Sequence, residues 1–331
     1  MSPTGVAGLT LGGGLGWLVR KHGLACDNLF SADVVTAEGK LLRCSETQNP
    51  DLFWGLRGGG GNFGIVTSFE FRVHDAGTVT AGLILHPIET AADVLRDWAD
   101  YMPSTTRNLT SGVALMHAPP APFVPEEWHG KPVLAVFGVH TGPLDEGAQV
   151  VAPLSAMGQP IVDIFQPMPF FAAQTMLDTT MPDGLRNYWK TTYVRDVTNG
   201  AIETLIAQFA KIPSRHTLII LEHNGDGAVT DVAESETAFA HRDIKWDLLV
   251  PSAWEDAADD NDNIAWTRGI VEAMKPHAAD AVYVNYLDQE PVEEIRRAYG
   301  PEKFAKLVAL KKKYDPGNLF RLNSNIPPDA S

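Results

Sequence analysis

The chain has 331 residues, enough for two domains with a sizeable core, and carries 26 Lys plus Arg against 41 Asp plus Glu, a formal net charge of −15. That acidic balance, with no basic block, excludes nucleic acid and anionic membrane surfaces as partners. Two cysteines make no disulfide framework and point to a reducing, cytoplasmic setting. The N-terminus lacks the positive region of a signal peptide, and no apolar run is long enough to span a bilayer.

In chain order, the first informative feature is the run Gly12-Gly13-Gly14-Leu15-Gly16, followed by a second, Gly58-Gly59-Gly60-Gly61-Asn62-Phe63-Gly64. Glycine concentrates where the backbone takes positive φ or approaches something closely, so two such runs imply main chain against a large flat or phosphorylated ligand. The second run holds the Gly-x-Gly-x-x-Gly spacing of a dinucleotide site, which requires a strand before and a helix after. The order here is reversed: Asp51–Leu56 predicts a short helix before the glycines and Ile65–Val73 alternates as a strand after them. A Rossmann site is therefore rejected.

Beyond a boundary at His74–Gly77, Thr80–Leu85 predicts a strand, Ala91–Tyr101 a helix, and the proline-rich His117–Pro132 a surface loop. Pro132–Val139 predicts a strand, Glu203–Lys211 a helix and His216–Glu222 another strand. This mixture predicts an α+β domain, an antiparallel sheet with helices on one face. Asp259-Asp260-Asn261-Asp262 lacks the turn glycine and distal glutamate of a calcium loop, and is read as the start of a helix over Ile264–Met274. A final helix over Pro301–Lys313 ends in three lysines that suit its dipole, and Asp315-Pro316-Gly317 stops it. The sequence has no Gly-x-Ser-x-Gly elbow, no Walker loop, no HExxH pair and no zinc-spaced cysteines, so no metal site is expected.

Gly5-x-x-Gly8 running into Gly12-Gly13-Gly14-x-Gly16, Lys21-His22-Gly23-Leu24-x-x-Asp27-Asn28, and Asn49 to Thr67 resemble the second lobe of the FAD-binding domain (PCMH type) of FAD-linked oxidases. The nearest group is the berberine-bridge-enzyme-like branch of the vanillyl-alcohol oxidase superfamily. Tyr283-x-Asn285-Tyr286-x-Asp288 and Tyr314-Asp315-Pro316-x-Asn318-x-Phe320-Arg321-x-Asn323-x-Asn325-Ile326-Pro327 resemble its C-terminal segment. The resemblance implies a partial FAD domain over 1–75, a substrate domain over 76–287 and a returning segment over 288–331. It implies FAD as cofactor and a small molecule as substrate; it leaves the oligomeric state open.

Family members begin with another lobe bearing an Arg-Gly-Gly-His-like loop, and the sequence contains no such loop. The expectation is therefore a truncated chain without a matched covalent flavin attachment, with apolar surface exposed around Leu11, Leu15, Trp17 and Leu18. Two alternatives stay open: a non-catalytic remnant that does not hold FAD stably, and a flavin-free small-molecule binding module.

The resemblance implies hydride transfer from a hydroxylated or amino compound to flavin N5, with a base removing the heteroatom's proton. Tyr286 is the first candidate for that base and Tyr283 the second. If this segment is a strand, Tyr283 and Asn285 share one face and Tyr286 takes the other. A tyrosine near its ordinary pKa of about 10 needs a cation to serve as a base, and Lys190 in Tyr188-Trp189-Lys190 is the candidate. The amides of Gly12 to Gly16 and of Gly64, Ile65 and Val66 are expected to meet the pyrophosphate side. Asn285 and Asn323 are further candidates toward the flavin. Thr237 to Arg242 is similar to a substrate-domain strand, with His241 and Arg242 either at a sheet edge or at substrate.

Overall fold

A computed structural model describes residues 4–287 and 290–330. The chain divides into two units. One comprises Thr4–Asp75, Gly227–Asp243 and Asp280 onward; the other comprises Ala76–Asp226 and Ile244–Ala279.

The first unit opens with α1 (Val6–Leu11) and α2 (Val19–His22), then β1 (Leu29–Val35), β2 (Leu41–Cys44), α3 (Pro50–Leu56) and β3 (Ile65–Phe71). The strands form an antiparallel sheet in the order β2-β1-β3. Pro50 stands in the first turn of α3, where its missing N–H costs nothing, and Leu52, Phe53, Trp54 and Leu56 are buried.

The second unit carries β4 (Thr78–Pro87), α4 (Ala91–Tyr101), β5 (Leu109–His117), β6 (Pro132–His140), α5 (Leu144–Ser155), β7 (Val162–Asp163), β8 (Gln166–Pro169), α6 (Phe170–Thr175) and β9 (Arg186–Val194). It continues with α7 (Asn199–Phe209), β10 (Ile219–His223), β11 (Trp246–Trp254) and α8 (Asp260–Met274). The sheet runs β7-β4-β6-β5-β10-β11-β9, with β8 also on β4, and every pairing is antiparallel.

Register explains why helices cover one face. Ile84, Val136, Val113, Leu221, Leu248 and Thr192 stand opposite one another across six strands. The apolar members of this row form one core with Val94, Leu95, Trp98, Leu154, Ile202, Leu205, Phe209, Ile270 and Met274 from α4, α5, α7 and α8. The α+β expectation holds in this form.

The chain then returns to the first unit with α9 (Val292–Tyr314), which bends at Gly300, φ 71° and ψ 162°. Phe304, Leu307, Val308 and Leu310 pack with Leu52, Phe53 and Phe63. Of the three lysines that end this helix, Lys311 has a buried ammonium, paired with Asp315 at 2.7 Å and donating to the Asn62 and Phe320 carbonyls.

Three expectations are corrected. Thr237–Arg242 forms no strand and belongs to the first unit, because Phe239 N donates to the Arg57 carbonyl and Arg242 binds Asp27. Residues 280–287 lie in the same unit, so the block expected over 76–287 is not one continuous unit. Tyr283–Tyr286 is no strand either: Val284–Tyr286 is one turn of 3₁₀ helix closed by Tyr286 N to the Tyr283 carbonyl.

Candidate active site

In the first unit, the glycine turn after α1 is built around Tyr283. The Tyr283 ring is buried, and its hydroxyl accepts from Gly14 N at 2.9 Å and from Asn285 Nδ2 at 2.8 Å. Asn285 Nδ2 also lies 2.9 Å from the Leu9 carbonyl, so its carboxamide ties the end of α1 to the tyrosine. Burial pushes the Tyr283 phenol well above its ordinary range. It therefore stays protonated at neutral pH and positions its neighbours. Tyr286 stands edge-on to that ring, centroids 4.8 Å apart, and is itself partly exposed. Tyr283 and Asn285 thus meet as expected, through a helical turn instead of strand alternation.

In the second unit, the face opposite the helices carries another registered row: Leu83, Phe137, Gly112, Glu222, Asp247 and Tyr193. Glu222 and Asp247 are directly opposed on β10 and β11, where like charges repel. Burial pushes the Glu222 carboxyl up to about 6. Burial first and Glu222 second push Asp247 well above the usual carboxylate range. The Thr191 hydroxyl lies 3.0 Å from both Asp247 Oδ1 and the Leu248 carbonyl. One hydroxyl has one proton, so both contacts are satisfied when a protonated Asp247 donates to Thr191 and Thr191 donates to Leu248. Asp247 Oδ2 is buried with no partner among the described residues.

Lys190 is elsewhere. It registers with Val250, on the helix-covered side of the sheet, and its ammonium lies 5.4 Å from the Tyr188 ring centroid. Tyr188 in turn accepts from Arg268 of α8 at 3.1 Å. This face opposes the carboxyl row, so Lys190 does not join it. Sequence reasoning missed that row. Its signal was a single acid inside each of two apolar strands, Ile219-Ile220-Leu221-Glu222 and Trp246-Asp247-Leu248-Leu249-Val250.

Residues 1–45 match the family model described as FAD binding domain, and residues 282–327 that described as Berberine and berberine like. The FAD-linked oxidoreductase tazG of Aspergillus terreus is 31% identical over 98% of this chain and 68% of its own length. An uncharacterized FAD-linked oxidoreductase of Bacillus subtilis, YgaK, is 30% identical over 98% of this chain and 70% of its own. The chain belongs to the FAD-linked oxidoreductases. The crystal structure of 6-hydroxy-D-nicotine oxidase from Arthrobacter nicotinovorans superposes with a TM-score of 0.84 at 27% identity, covering 98% of this chain and 71% of that one.

An FAD-linked oxidoreductase needs backbone that a flat cofactor can approach, and the glycines of this segment fall into two sets. A Cβ at Gly5, Gly8 or Gly16 would meet nothing within 4 Å among the described residues. The residues between them are committed to the chain itself. Gly12 N donates to the Gly8 carbonyl, Gly13 N to Thr10 and Gly14 N to Tyr283. A Cβ at Gly12 would overlap the Asn285 carboxamide, one at Gly13 the Phe239 ring, and one at Gly14 the Ala25 methyl.

Of the amides expected to meet the cofactor, those of Gly12, Gly13 and Gly14 thus bond within the chain. Gly64 likewise lacks a side chain because Val34 and Val35 occupy the space, and Ile65 and Val66 pair with β1. Asn285 and Asn323 are exposed, and Asn325 Oδ1 is a buried acceptor without a partner among the described residues. These residues fit FAD: open glycine backbone for its planar and phosphate parts, and carboxamides for its polar edges.

Proposed function

We propose that this FAD-linked oxidoreductase oxidises a small molecule at a carbon bearing a hydroxyl or an amine. The observation that carries the reading is the partly exposed Tyr286, standing on a Tyr283 whose hydroxyl is tied to Gly14 in the glycine turn. The similarity to an enzyme named 6-hydroxy-D-nicotine oxidase supports a small hydroxylated or amino substrate.

When bound, FAD supplies a two-electron acceptor for hydride. Gly5, Gly8 and Gly16 would admit it, Asn285, whose Nδ2 is taken by Leu9 and Tyr283, would offer it Oδ1 as an acceptor, and Asn323 would offer an amide donor and acceptor. Tyr286 takes the proton from the substrate's hydroxyl or amine as the adjacent C–H bond breaks. Tyr283 holds Tyr286 and Asn285 in place.

A titration with FAD, followed by flavin fluorescence, tests the cradle. Gly8→Leu and Gly16→Val fill open space, so the fold should persist while FAD affinity falls at least tenfold. Gly269→Ala, at an equally open glycine of α8, is the control. Parent-like affinity in both cradle variants would sink the reading.

A further inference from the structure

We propose that the buried Asp27–Arg242 ion pair is the positioning device of the active site, setting the glycine turn and Tyr283 against each other. This rests on the reading that the turn is the flavin cradle. Arg242 and Asp27 are both nearly excluded from solvent and meet in bidentate geometry, 2.6 Å from Nη2 to Oδ1 and 3.0 Å from Nη1 to Oδ2. The guanidinium also donates to Thr237 Oγ1 at 2.7 Å and to the Val229 carbonyl at 3.1 Å.

Two routes run from this pair to Tyr283. In the first, Asp27 Oδ2 accepts from Leu24 N at 3.0 Å and closes the turn Ala25–Asn28. That turn grips the glycines: Ala25 N donates to the Gly14 carbonyl at 3.0 Å and Cys26 N to Gly13 at 2.8 Å. Gly14 N then donates to Tyr283. In the second, the Arg242 guanidinium lies 5.4 Å from the Phe239 ring centroid. Phe239 fills the space beside Gly13 and meets Tyr283 edge-on at 5.9 Å.

The loop carrying Arg242 has its own anchor. Glu234 accepts from the His241 and Arg242 amides, and Lys303 binds both Glu234 and the Phe239 carbonyl. His241 takes φ 65° there, a conformation non-glycine residues rarely adopt. A buried ion pair is a weak source of stability compared with apolar packing, because desolvation offsets much of its attraction. Bidentate geometry gives it direction instead.

The test separates positioning from stability. Removing Arg242 alone strands a buried carboxylate and lowers the melting temperature, so the informative variant is Asp27→Asn with Arg242→Met, which leaves no unpaired charge. Expected is a melting temperature near the parent's, at least tenfold faster hydrogen exchange at the Gly14 amide in the FAD-free protein, and at least tenfold weaker FAD binding. Val34 and Val66 amides should exchange as in the parent.

Arg242→Lys, which keeps charge but loses the fork, should show the same loss in weaker form and serves if the double variant fails to fold. Unchanged Gly14 protection, or a stability loss with parent-like Gly14 exchange and FAD affinity, would overturn the proposal. The exchange readout needs no FAD. A failed cradle would therefore show as Gly14 exchange moving while FAD affinity ignores both the ion pair and the Gly8 and Gly16 substitutions.

Discussion

Asp247 shows how much a single residue's surroundings decide. In isolation it is an ordinary carboxylate, but between Glu222, Thr191 and a desolvated strand it is most stable as an acid. The consequence for stability has a definite sign. A carboxyl whose folded pKa is raised binds more protons folded than unfolded, so stability falls as pH rises from the ordinary value of about 4 through the folded one. For Glu222 that window closes at about 6. The parent should therefore lose on the order of 2 kcal/mol between pH 4 and pH 7 through this group, and Glu222→Gln should flatten that part of the profile. Urea unfolding at stepped pH checks it; stability rising through the window, or an unchanged slope in Glu222→Gln, would contradict it.

The two thiols give a simpler check. Burial pushes Cys44 up to about 12 and Cys26 higher still. A disulfide reagent should label neither in the native protein and both after denaturation. Rapid labelling of either native thiol would show that its surroundings open.

Among the elements, those with strong periodicity were legible. Ala91–Tyr101 is a helix with the predicted bounds, Asp51–Leu56 and Pro132–Val139 lie within elements of the predicted type, and the strand predicted over Ile65–Val73 ends at Phe71. The failures have physical causes. Tyr283–Tyr286 alternates like a strand, but the hydrogen bonds of Tyr283 and Asn285 to Gly14 and Leu9 hold it as a helical turn. Thr237–Arg242 looks strand-like, but its polar ends are taken by Asp27 and Glu234.

The C-terminal helix begins at Val292, earlier than Pro301, because Gly300 at positive φ lets two helical segments join across a bend. Element stability can be tested where nothing else is touched. Gly269 lies exposed inside α8 with open space at its missing Cβ, so Gly269→Ala should stabilise the protein by roughly 0.5–1 kcal/mol. Thermal unfolding reads this, and destabilisation would mean that α8 is packed differently.

For the molecule as a whole, the two glycine runs and the C-terminal asparagine motif pointed to the family, while the division of labour within it was hidden. Sequence neighbours Gly12, Gly13 and Gly14 serve internal packing, whereas Gly5, Gly8 and Gly16 leave open backbone. No periodicity separates the two sets, because the difference lies in residues more than 200 positions away, Phe239, Tyr283 and Asn285. The apolar exposure differs from the one expected. Leu11 is buried and Leu15, Trp17 and Leu18 are half-buried, while Val6 and Ile65 stay exposed. Among the described residues no helix is long and apolar enough to cross a membrane, and no cluster of ligating side chains could hold a metal ion.

The central claim is that Tyr286 performs the proton transfer and Tyr283 positions it. Anaerobic stopped-flow reduction of the FAD-loaded protein by an amine or alcohol substrate measures this directly. Tyr286→Phe should keep the flavin spectrum and slow reduction by roughly two to four orders of magnitude, the usual worth of a positioned base. Tyr283→Phe should slow it less and weaken FAD binding, because it removes the acceptor for Gly14 N. Parent-like reduction in Tyr286→Phe would contradict the account.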